Sequence, residues 1–449
     1  MKNKKNIVSI LLTIVITVFF LVIPIFQGNI SYCFNNQEET YLNSFSNICL
    51  SPGEDETMLN FSWHSKYSSE VAQIKIWEKN KKEVIYKGKS AALDNGFISN
   101  KVTVQNLKPN TKYFYSYKCD GKWSKPLEYK TKNFNDYSFL FVADPQIGAS
   151  SKEMNSYEEG IKKDSYNWNQ VIKKSLNKSG DLSFIISGGD ETNTKEDVND
   201  VLQTYISNLE YSGFLSPVYL RSIPITSAIG NHDKDNTNFY NHFNMPNLTN
   251  LGKDVAGSDY YFTYGNTLYL FINTNNLNIC EHEKFVEDVV AKNKDIKWKI
   301  AVFHHDIYGG GRHKDDEDIK ILRENLPCIL ENNKIDLALC GHDHIYSRTY
   351  PIKDNKKIMK SSVRKLKNFE EKVETIKKNK GVVYITGSSC TGSKFYKQRK
   401  IKNKYIKKIY NKDIPTYTII SINSTSISIV TYEVDNDKAI DNKIIIKKQ

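Results

Sequence analysis

The stretch IDLALCGHDHIYSR, residues 335–348, passes directly from a short apolar run into a glycine and two histidines. Such a run is typical of a buried β-strand, and in open α/β architectures the binding groups follow the carboxyl ends of strands. Four other stretches repeat this context, and each ends in residues that can bind a metal: FLFVADPQ (139–146), LSFIISGGD (182–190), IPITSAIGNHD (223–233) and WKIAVFHHD (298–306). The repetition predicts a single site assembled from five strand ends.

The residue types at these five ends predict a two-metal site that attracts an anion. Asp190 is the natural bridging carboxylate and Asp144 a terminal one, whereas the remaining groups are neutral: Asn231, His304, His342 and His344. Two metals about 3.5–4 Å apart can hold a hydroxide, clamp a phosphate and absorb charge on the leaving oxygen. Any one of these residues alone could simply end a strand or cap a helix, but the ordered set predicts phosphoester chemistry.

Two motifs carry a resemblance to a known family. Gly341-His342-x-His344-x-Tyr346-x-Arg348 and Gly230-Asn231-His232-Asp233 resemble those of the calcineurin-like metallophosphoesterase superfamily, within it the purple-acid-phosphatase-like branch. The resemblance covers about residues 45–430. It implies two β-sheets packed face to face and flanked by helices, with the metals at the strand ends.

The resemblance also implies a role for each site residue. The first metal would be held by Asp144, Asp190 and His344, and the second by Asp190, Asn231, His304 and His342. His232 would stabilise the transition state and protonate the leaving oxygen. In the stretch from Tyr308 to His313, His313 would contact the substrate phosphate and Arg312 would assist it.

Two positions depart from the family pattern. Asn193 stands where the purple enzymes carry the tyrosine that gives their colour, and Gln146 stands where other members carry a histidine. Gln146 could offer a weak amide oxygen to the first metal, and Asn193 could bind that metal directly or through a water molecule. We therefore expect a colourless site with a loosely held first metal, and nitrogen and oxygen ligands without thiolate suit Fe, Mn or Zn.

The sequence before this site has a different pattern of apolar and polar residues. Residues 47–133 contain short alternating strands separated by polar turns, which predicts an antiparallel β-sandwich, and residues 102–115 resemble the fibronectin type III pattern. From residue 138 to 432, strands alternate with helical patterns, which predicts a second domain of mixed α+β and α/β character. Residues 32–46 are predicted to be a linker, and residues 433–449 a C-terminal tail.

Within the second domain, the pattern of apolar residues predicts individual elements. Helices are expected at 164–178, at 281–292, at 316–331 and from Thr194 onward, and a hairpin is expected at 260–272.

Residues 1–31 are predicted to be a signal peptide or a signal anchor. Lys2, Lys4 and Lys5 precede the almost continuous apolar run from Ile7 to Phe26, which is the charge order of an export signal. A run of about 20 residues can also span a bilayer, and no Ala-x-Ala cleavage site follows it. We expect an extracytoplasmic protein, either secreted or held at the membrane by this segment.

The net charge of +12 comes in part from the lysine-dense residues 353–380. They are interpreted as a solvated insertion, and attraction to an acidic wall, a membrane or a phosphate-rich substrate stays open as the alternative. No basic helix interleaved with aromatic residues is present, so no nucleic-acid partner is expected.

Seven cysteines exclude a fully paired disulfide set; Cys33 could pair with Cys49, and Cys340 is expected in a buried strand.

The combined hypothesis is an exported phosphatase that hydrolyses small phosphomonoesters by attack of a metal-bound hydroxide, with His232 as proton donor. A phosphodiesterase or nucleotidase is the nearest alternative, because ligands are shared while substrate loops differ. A surface adhesion module with a degenerate site is the alternative from another class, motivated by Gln146 and Asn193.

Overall fold

The computed structural model describes Leu42, Ser44 and residues 46–66, 71–93, 96–194, 201–354, 356–359, 362–365, 372–399 and 403–448. The predicted leader, Cys33, and the expected helix start at 195–200 lie outside these residues. No helix in the described ranges is both long enough and apolar enough to cross a membrane.

The first domain is an antiparallel β-sandwich, as predicted. Its strands are β1 (Cys49–Pro52), β2 (Leu59–Ser65), β3 (Gln73–Glu78), β4 (Val84–Lys87), β5 (Lys89–Ala92), β6 (Ile98–Val104), β7 (Lys112–Cys119), β8 (Lys122–Trp123) and β9 (Leu127–Lys130). One sheet has the order β1-β2-β6-β5 and the other β4-β3-β7-β8, with β9 also paired to β7. Phe61, Ile74 and Tyr115 are fully buried in the core between them.

Strand β2 buries both of its faces, because one packs in the sandwich and the other meets the second domain. Phe61 and Trp63 belong to the sandwich core. Side chains alternate across a strand, and the Ser62 hydroxyl donates to the His242 carbonyl at 2.6 Å while Asn60 donates to the Asn244 carbonyl at 2.9 Å. The sandwich is thus fixed to the second domain by hydrogen bonds from alternate residues of one strand.

The second domain contains the remaining strands and the helices. The strands are β10 (Tyr137–Val142), β11 (Ile185–Ser187), β12 (Ile225–Ser227), β13 (Tyr260–Tyr264), β14 (Thr267–Phe271), β15 (Trp298–Val302), β16 (Leu337–Cys340), β17 (Tyr346–Thr349), β18 (Ile352–Lys353), β19 (Lys356–Lys357), β20 (Ser362–Lys365), β21 (Lys372–Lys377), β22 (Val383–Thr386), β23 (Ile406–Tyr410), β24 (Thr416–Ile422), β25 (Ser426–Glu433) and β26 (Lys443–Lys447). The helices are α1 (Tyr157–Ser179), α2 (Val201–Phe214), α3 (Asn238–His242), α4 (Ile279–Lys292) and α5 (Glu317–Asn332), with 3₁₀ turns at Ala149–Glu153 and Val218–Arg221.

These strands form two large sheets. The eight-stranded sheet has the order β12-β11-β10-β24-β25-β26-β21-β20, and the seven-stranded sheet has the order β13-β14-β15-β16-β22-β17-β23. Aromatic rings join them: Phe139 lies edge-on to Tyr269 with centroids 5.6 Å apart, and Phe184 lies edge-on to Phe262 at 5.6 Å. Burial of large rings stabilises such an interface, and the two-sheet fold with flanking helices is as predicted.

Helix α1 shows how the sequence sets a helix end. The Ser156 hydroxyl accepts a hydrogen bond from the Glu159 amide at 3.2 Å, which satisfies one of the free N–H groups of the first turn. Gly180 ends the helix with a positive φ of 72°. Trp168 in the middle of the helix stacks on Phe214 of α2 at 5.6 Å, and so holds the two helices together.

The second domain does not end at residue 432, and the predicted tail at 433–449 is wrong. Residues 443–447 form β26, which lies between β25 and β21 in the eight-stranded sheet. Ile444 and Ile446 are buried within an alternating pattern. Part of the lysine-dense stretch 353–380 is also structural, since β21 pairs with β26 in parallel. Flanking lysines obscured the short alternation in both segments.

Ile446→Ala should therefore destabilise the whole domain. Removing a buried isoleucine side chain leaves a cavity and costs about 2–5 kcal/mol of unfolding free energy. Lys447→Ala, at the exposed neighbouring position, should stay within about 0.5 kcal/mol of the wild type. Equilibrium unfolding in urea measures both. Equal stability of the two variants would show that residues 443–447 are dispensable for the sheet.

Candidate metal centre

The candidate ligands meet because the parallel strands of both sheets end at the same place. Asp144 follows β10, Asp190 follows β11 and Asn231 lies four residues beyond β12, all in the eight-stranded sheet. His304 follows β15 and His342 follows β16 in the seven-stranded sheet. Every one of these side chains belongs to a loop at a carboxyl strand end, which is where the pattern of apolar runs predicted the site.

The backbone at the site is strained. Asp144, Asp190, His342 and His344 all have positive φ angles, of 47°, 58°, 74° and 54°. For residues other than glycine, this conformation costs about 1–3 kcal/mol each and concentrates at functional sites. The surrounding fold therefore holds these four side chains in positions that relaxed loops would not adopt.

A close approach of two loops explains the glycine before Asn231. A Cβ atom at Gly230 would lie 2.1 Å from the backbone nitrogen of Asp190 and 2.2 Å from its Oδ1. Only glycine allows this contact, which brings the β11 and β12 loops together.

Two buried carboxylates form the centre of the site. Asp144, Asp190 and His304 each offer a ligand atom, and the three atoms lie within 4.8 Å of one another. Burial, and then the negative charge of Asp190, raises the pKa of Asp144 well above its ordinary value. Burial acts in the same direction on Asp190, but His304 and His232 outweigh it and hold the pKa of Asp190 below its ordinary value. Two such carboxylates remain anionic together only beside cations.

Hydrogen bonds at the far side of each ring fix which histidine nitrogen faces the centre. His304 Nδ1 donates to the Gly188 carbonyl at 2.9 Å, and His344 Nδ1 donates to the Lys394 carbonyl at 2.8 Å. With Nδ1 carrying the proton, each Nε2 presents a lone pair. His304 Nε2 lies 3.4 Å from Asp190 Oδ1, and His344 Nε2 lies 3.6 Å from Asp144 Oδ1.

The amide oxygen of Asn231 completes a second group of donor atoms. It lies 3.1 Å from His304 Nε2 and 2.9 Å from His342 Nδ1, and these two nitrogens are 3.2 Å apart. Nitrogen and oxygen lone pairs converging at this spacing fit a metal ion better than they fit one another. The donor set, together with the buried Asp144 Oδ2 that lacks a hydrogen-bond partner, fits a pair of metal ions.

Gln146 and Asn193 support the bridging carboxylate and the neighbouring histidine. Gln146 Nε2 donates to Asp190 Oδ2 at 2.9 Å, and its own Oε1 is buried without a hydrogen-bond partner. Asn193 contributes its backbone carbonyl, which accepts from His232 Nδ1 at 2.5 Å. His232 Nε2 then lies 4.0 Å from Asp190 Oδ2, so this ring edge faces the centre.

Two further aspartates hold loops rather than face the centre. Asp233 Oδ2 accepts from the backbone nitrogens of Asp190 and Gly230 at 2.9 and 3.0 Å. Asp343 Oδ2 accepts from the Gly311 amide at 2.7 Å, which fixes the glycine-rich loop that carries Arg312 and His313.

That glycine-rich loop reaches the site. The His313 ring lies 4.4 Å from the His342 ring, and His313 Nδ1 contacts Asp316 Oδ2 at 2.7 Å. The guanidinium of Arg312 lies 5.8 Å from the ring centre of Tyr396. His313 therefore lies beside the candidate ligand His342, whereas Arg312 lies beside Tyr396.

Sequence reasoning missed Lys394 and Tyr396, on the loop after β22. The Tyr396 ring lies 4.5 Å from the His344 ring and 5.4 Å from the His313 ring. Burial lowers the pKa of Lys394, while Asp190 and Asp144 act to raise it. A signal was present, because GVVYITGSS at 381–389 is a sixth apolar run that ends in polar residues, although these are small residues and not metal ligands.

Comparison with known proteins agrees with this architecture. Residues 137–346 match the family described as calcineurin-like phosphoesterase, and residues 45–131 match the purple acid phosphatase N-terminal domain. The structure is similar to that of purple acid phosphatase PPD1 from yellow lupin (Lupinus luteus) seeds, with a TM-score of 0.69 and 15% identity over 90% of this chain and 74% of that chain. It is also similar to PhoD, with a TM-score of 0.56 and 12% identity over 90% of this chain and 95% of that one.

Curated relatives match over shorter stretches. Purple acid phosphatase 3 of Arabidopsis thaliana is 35% identical over 74 residues, which are 16% of this chain and 19% of the relative. An uncharacterized protein of Mycobacterium tuberculosis is 23% identical over 155 residues, covering 29% of this chain and 28% of the relative. The matched part thus spans less than a third of each relative.

Proposed function

We propose that this chain is a purple-acid-phosphatase-like dimetal phosphoesterase that hydrolyses small phosphomonoesters outside the cytoplasm. The match to the calcineurin-like phosphoesterase family, which follows the match to the purple acid phosphatase N-terminal domain, supports this proposal. The observation that carries the proposal is the convergence of Asn231 and three histidines around two buried carboxylates, Asp144 and Asp190. Asp144, Asp190 and His344 would hold one metal, and Asp190, Asn231, His304 and His342 the other.

The metal pair, proposed as Fe, Mn or Zn, would neutralise the phosphate and lower the pKa of a water molecule. The protein's own groups supply positioning and proton transfer. His232 is held by the Asn193 carbonyl with Nε2 toward the site, so a proton on that atom can pass to the departing alkoxide. Lys394, Arg312 and His313 would add donors for the phosphate oxygens.

Metal dependence tests the reaction. Protein stripped with a chelator should lose hydrolysis of 4-nitrophenyl phosphate and regain it with Mn, Zn or Fe, because a phosphate dianion is not attacked without charge neutralisation. Bis(4-nitrophenyl) phosphate, assayed in parallel, separates monoester from diester preference. A faster diester reaction would favour the phosphodiesterase alternative. Failure to bind any metal would favour the adhesion module.

A pair of variants separates metal binding from proton transfer. Asn231→Ala should reduce metal content after reconstitution, while Asn325→Ala, an exposed control, should not. His232→Ala should keep its metal but lose about 10²–10⁴-fold in turnover. The loss should be smaller for 4-nitrophenyl phosphate, whose leaving group is weakly basic, than for an alkyl phosphate, whose alkoxide leaving group needs a proton. Elemental analysis and steady-state kinetics measure both. Equal losses for the two leaving groups would contradict the proton-donor role.

Export is proposed from the leader alone. Three lysines followed by the apolar run at 7–26 support it. Cell fractionation of the producing organism should find the protein in the culture fluid if the leader is cleaved, or in the membrane fraction with its active domain open to external protease if it is not. Recovery in the cytoplasm would overturn the proposal.

A further inference from the structure

A basic cavity of about 490 Å³ lies between β17 and β23 of the seven-stranded sheet and β21 and the β25–β26 loop of the eight-stranded sheet. It is lined by Arg348 of β17, Lys372 of β21, Lys407 and Lys408 of β23, and residues 438–442 between β25 and β26. The candidate metal ligands do not line it, so the cavity is separate from the metal centre.

The floor of the cavity is a charge-balanced network. Arg348 Nε contacts Asp441 Oδ2 at 2.6 Å, and its Nη2 contacts Asp441 Oδ1 at 3.1 Å and Glu374 Oε2 at 3.3 Å. The Lys407 ammonium also pairs with Glu374. The charges of these two cations and two carboxylates cancel. The Tyr346 hydroxyl also donates a hydrogen bond to Asp441 at 3.0 Å.

Three more lysines line the cavity in addition to this charge-balanced network. Within the described part of the chain, Lys372, Lys408 and Lys438 form no salt bridge with a carboxylate. The cavity therefore carries an excess of positive charge over its buried network, offset in part by Glu433, which interacts electrostatically with Lys438. Like charges held around one concave surface repel each other and attract anions.

A β-bulge brings two consecutive lysines to the same cavity. In the β17–β23 pairing, Arg348 lies opposite Lys408 and Thr349 opposite Ile406, so that Lys407 is the extra residue. Consecutive side chains of a regular strand point to opposite faces, and a bulge redirects one of them. The register also sets Lys408 directly opposite Arg348, whose own charge is already balanced by Asp441 and Glu374.

The buried guanidinium supplies a second, independent indication. Arg348 is 1% exposed, and its Nη1 is buried with no hydrogen-bond partner. A buried charged donor without a partner is destabilising. The unpaired donor belongs to a side chain that lines the cavity and that an anion bound there would contact.

We propose that this cavity is a second anion site, which binds a small phosphate-type polyanion without hydrolysing it. Its volume lies in the range of small-ligand sites, about 300–1,000 Å³. Lysine ammonium groups and a fixed guanidinium are the donors that bind phosphoryl oxygens most strongly. The site does not depend on the proposed hydrolysis, because it shares no residue with the metal centre.

Titration calorimetry of the metal-loaded full chain with inorganic phosphate tests the proposal. The wild type should show two binding events, one at each site. Lys408→Ala/Lys438→Ala should weaken one event by about tenfold or more, which is about 1.4 kcal/mol, while hydrolysis of 4-nitrophenyl phosphate stays unchanged. Sulfate, also a tetrahedral dianion, should compete for that event, whereas acetate should not.

Two further variants keep the result interpretable. Lys408→Arg/Lys438→Arg preserves the charge and should keep the binding event. Lys79→Ala/Lys82→Ala removes the same charge from exposed positions of the sandwich and should also keep it. Loss of binding in this control, or unchanged binding in Lys408→Ala/Lys438→Ala, would overturn the proposal. A missing metal-centre event with the cavity event intact would count against the proposed hydrolysis only.

Discussion

The structure depends on keeping two carboxylates, Asp144 and Asp190, charged and adjacent in a buried place. Burial and mutual repulsion oppose this arrangement, and the pKa of Asp144 is raised accordingly. Neutral candidate ligands surround the pair, and the loops that carry it are held in left-handed conformations. Asp233 joins the loops of β11 and β12 by accepting hydrogen bonds from both. Metal ions would supply the positive charge that the neutral side chains around the pair do not provide.

This constraint extends to the outer parts of the molecule. The motif that supplies His342 and His344 continues into β17, where Tyr346 and Arg348 fasten the segment before β26 through Asp441. Strand β26 in turn lies inside the eight-stranded sheet, whose other strands carry Asp144 and Asp190. The C-terminal residues are thus part of the scaffold that positions the site, although they contribute no ligand to it.

Much of the fold and site could be predicted because the same local pattern recurs. Each candidate ligand follows a short apolar run, and parallel strands bring their carboxyl ends to one edge. The prediction failed where the pattern was weak. Lysines concealed β21 and β26, and the loop carrying Lys394 and Tyr396 contains no metal-ligating motif. Whether Gln146 served as ligand or support could not be decided from its residue type, since an amide can do either.

The sequence by itself determined the two-domain order, the five strand-end clusters and the chemical types of the candidate ligands, because these depend on local periodicity and side-chain chemistry. Only the tertiary structure decided that Gln146 donates to Asp190, that Asn193 acts through its backbone, and that Tyr396 stacks on His344. It also placed Arg348 and the lysines of β23 around one cavity. These contacts join residues far apart in the chain, and their geometry is set by sheet register and loop packing, which local sequence does not encode.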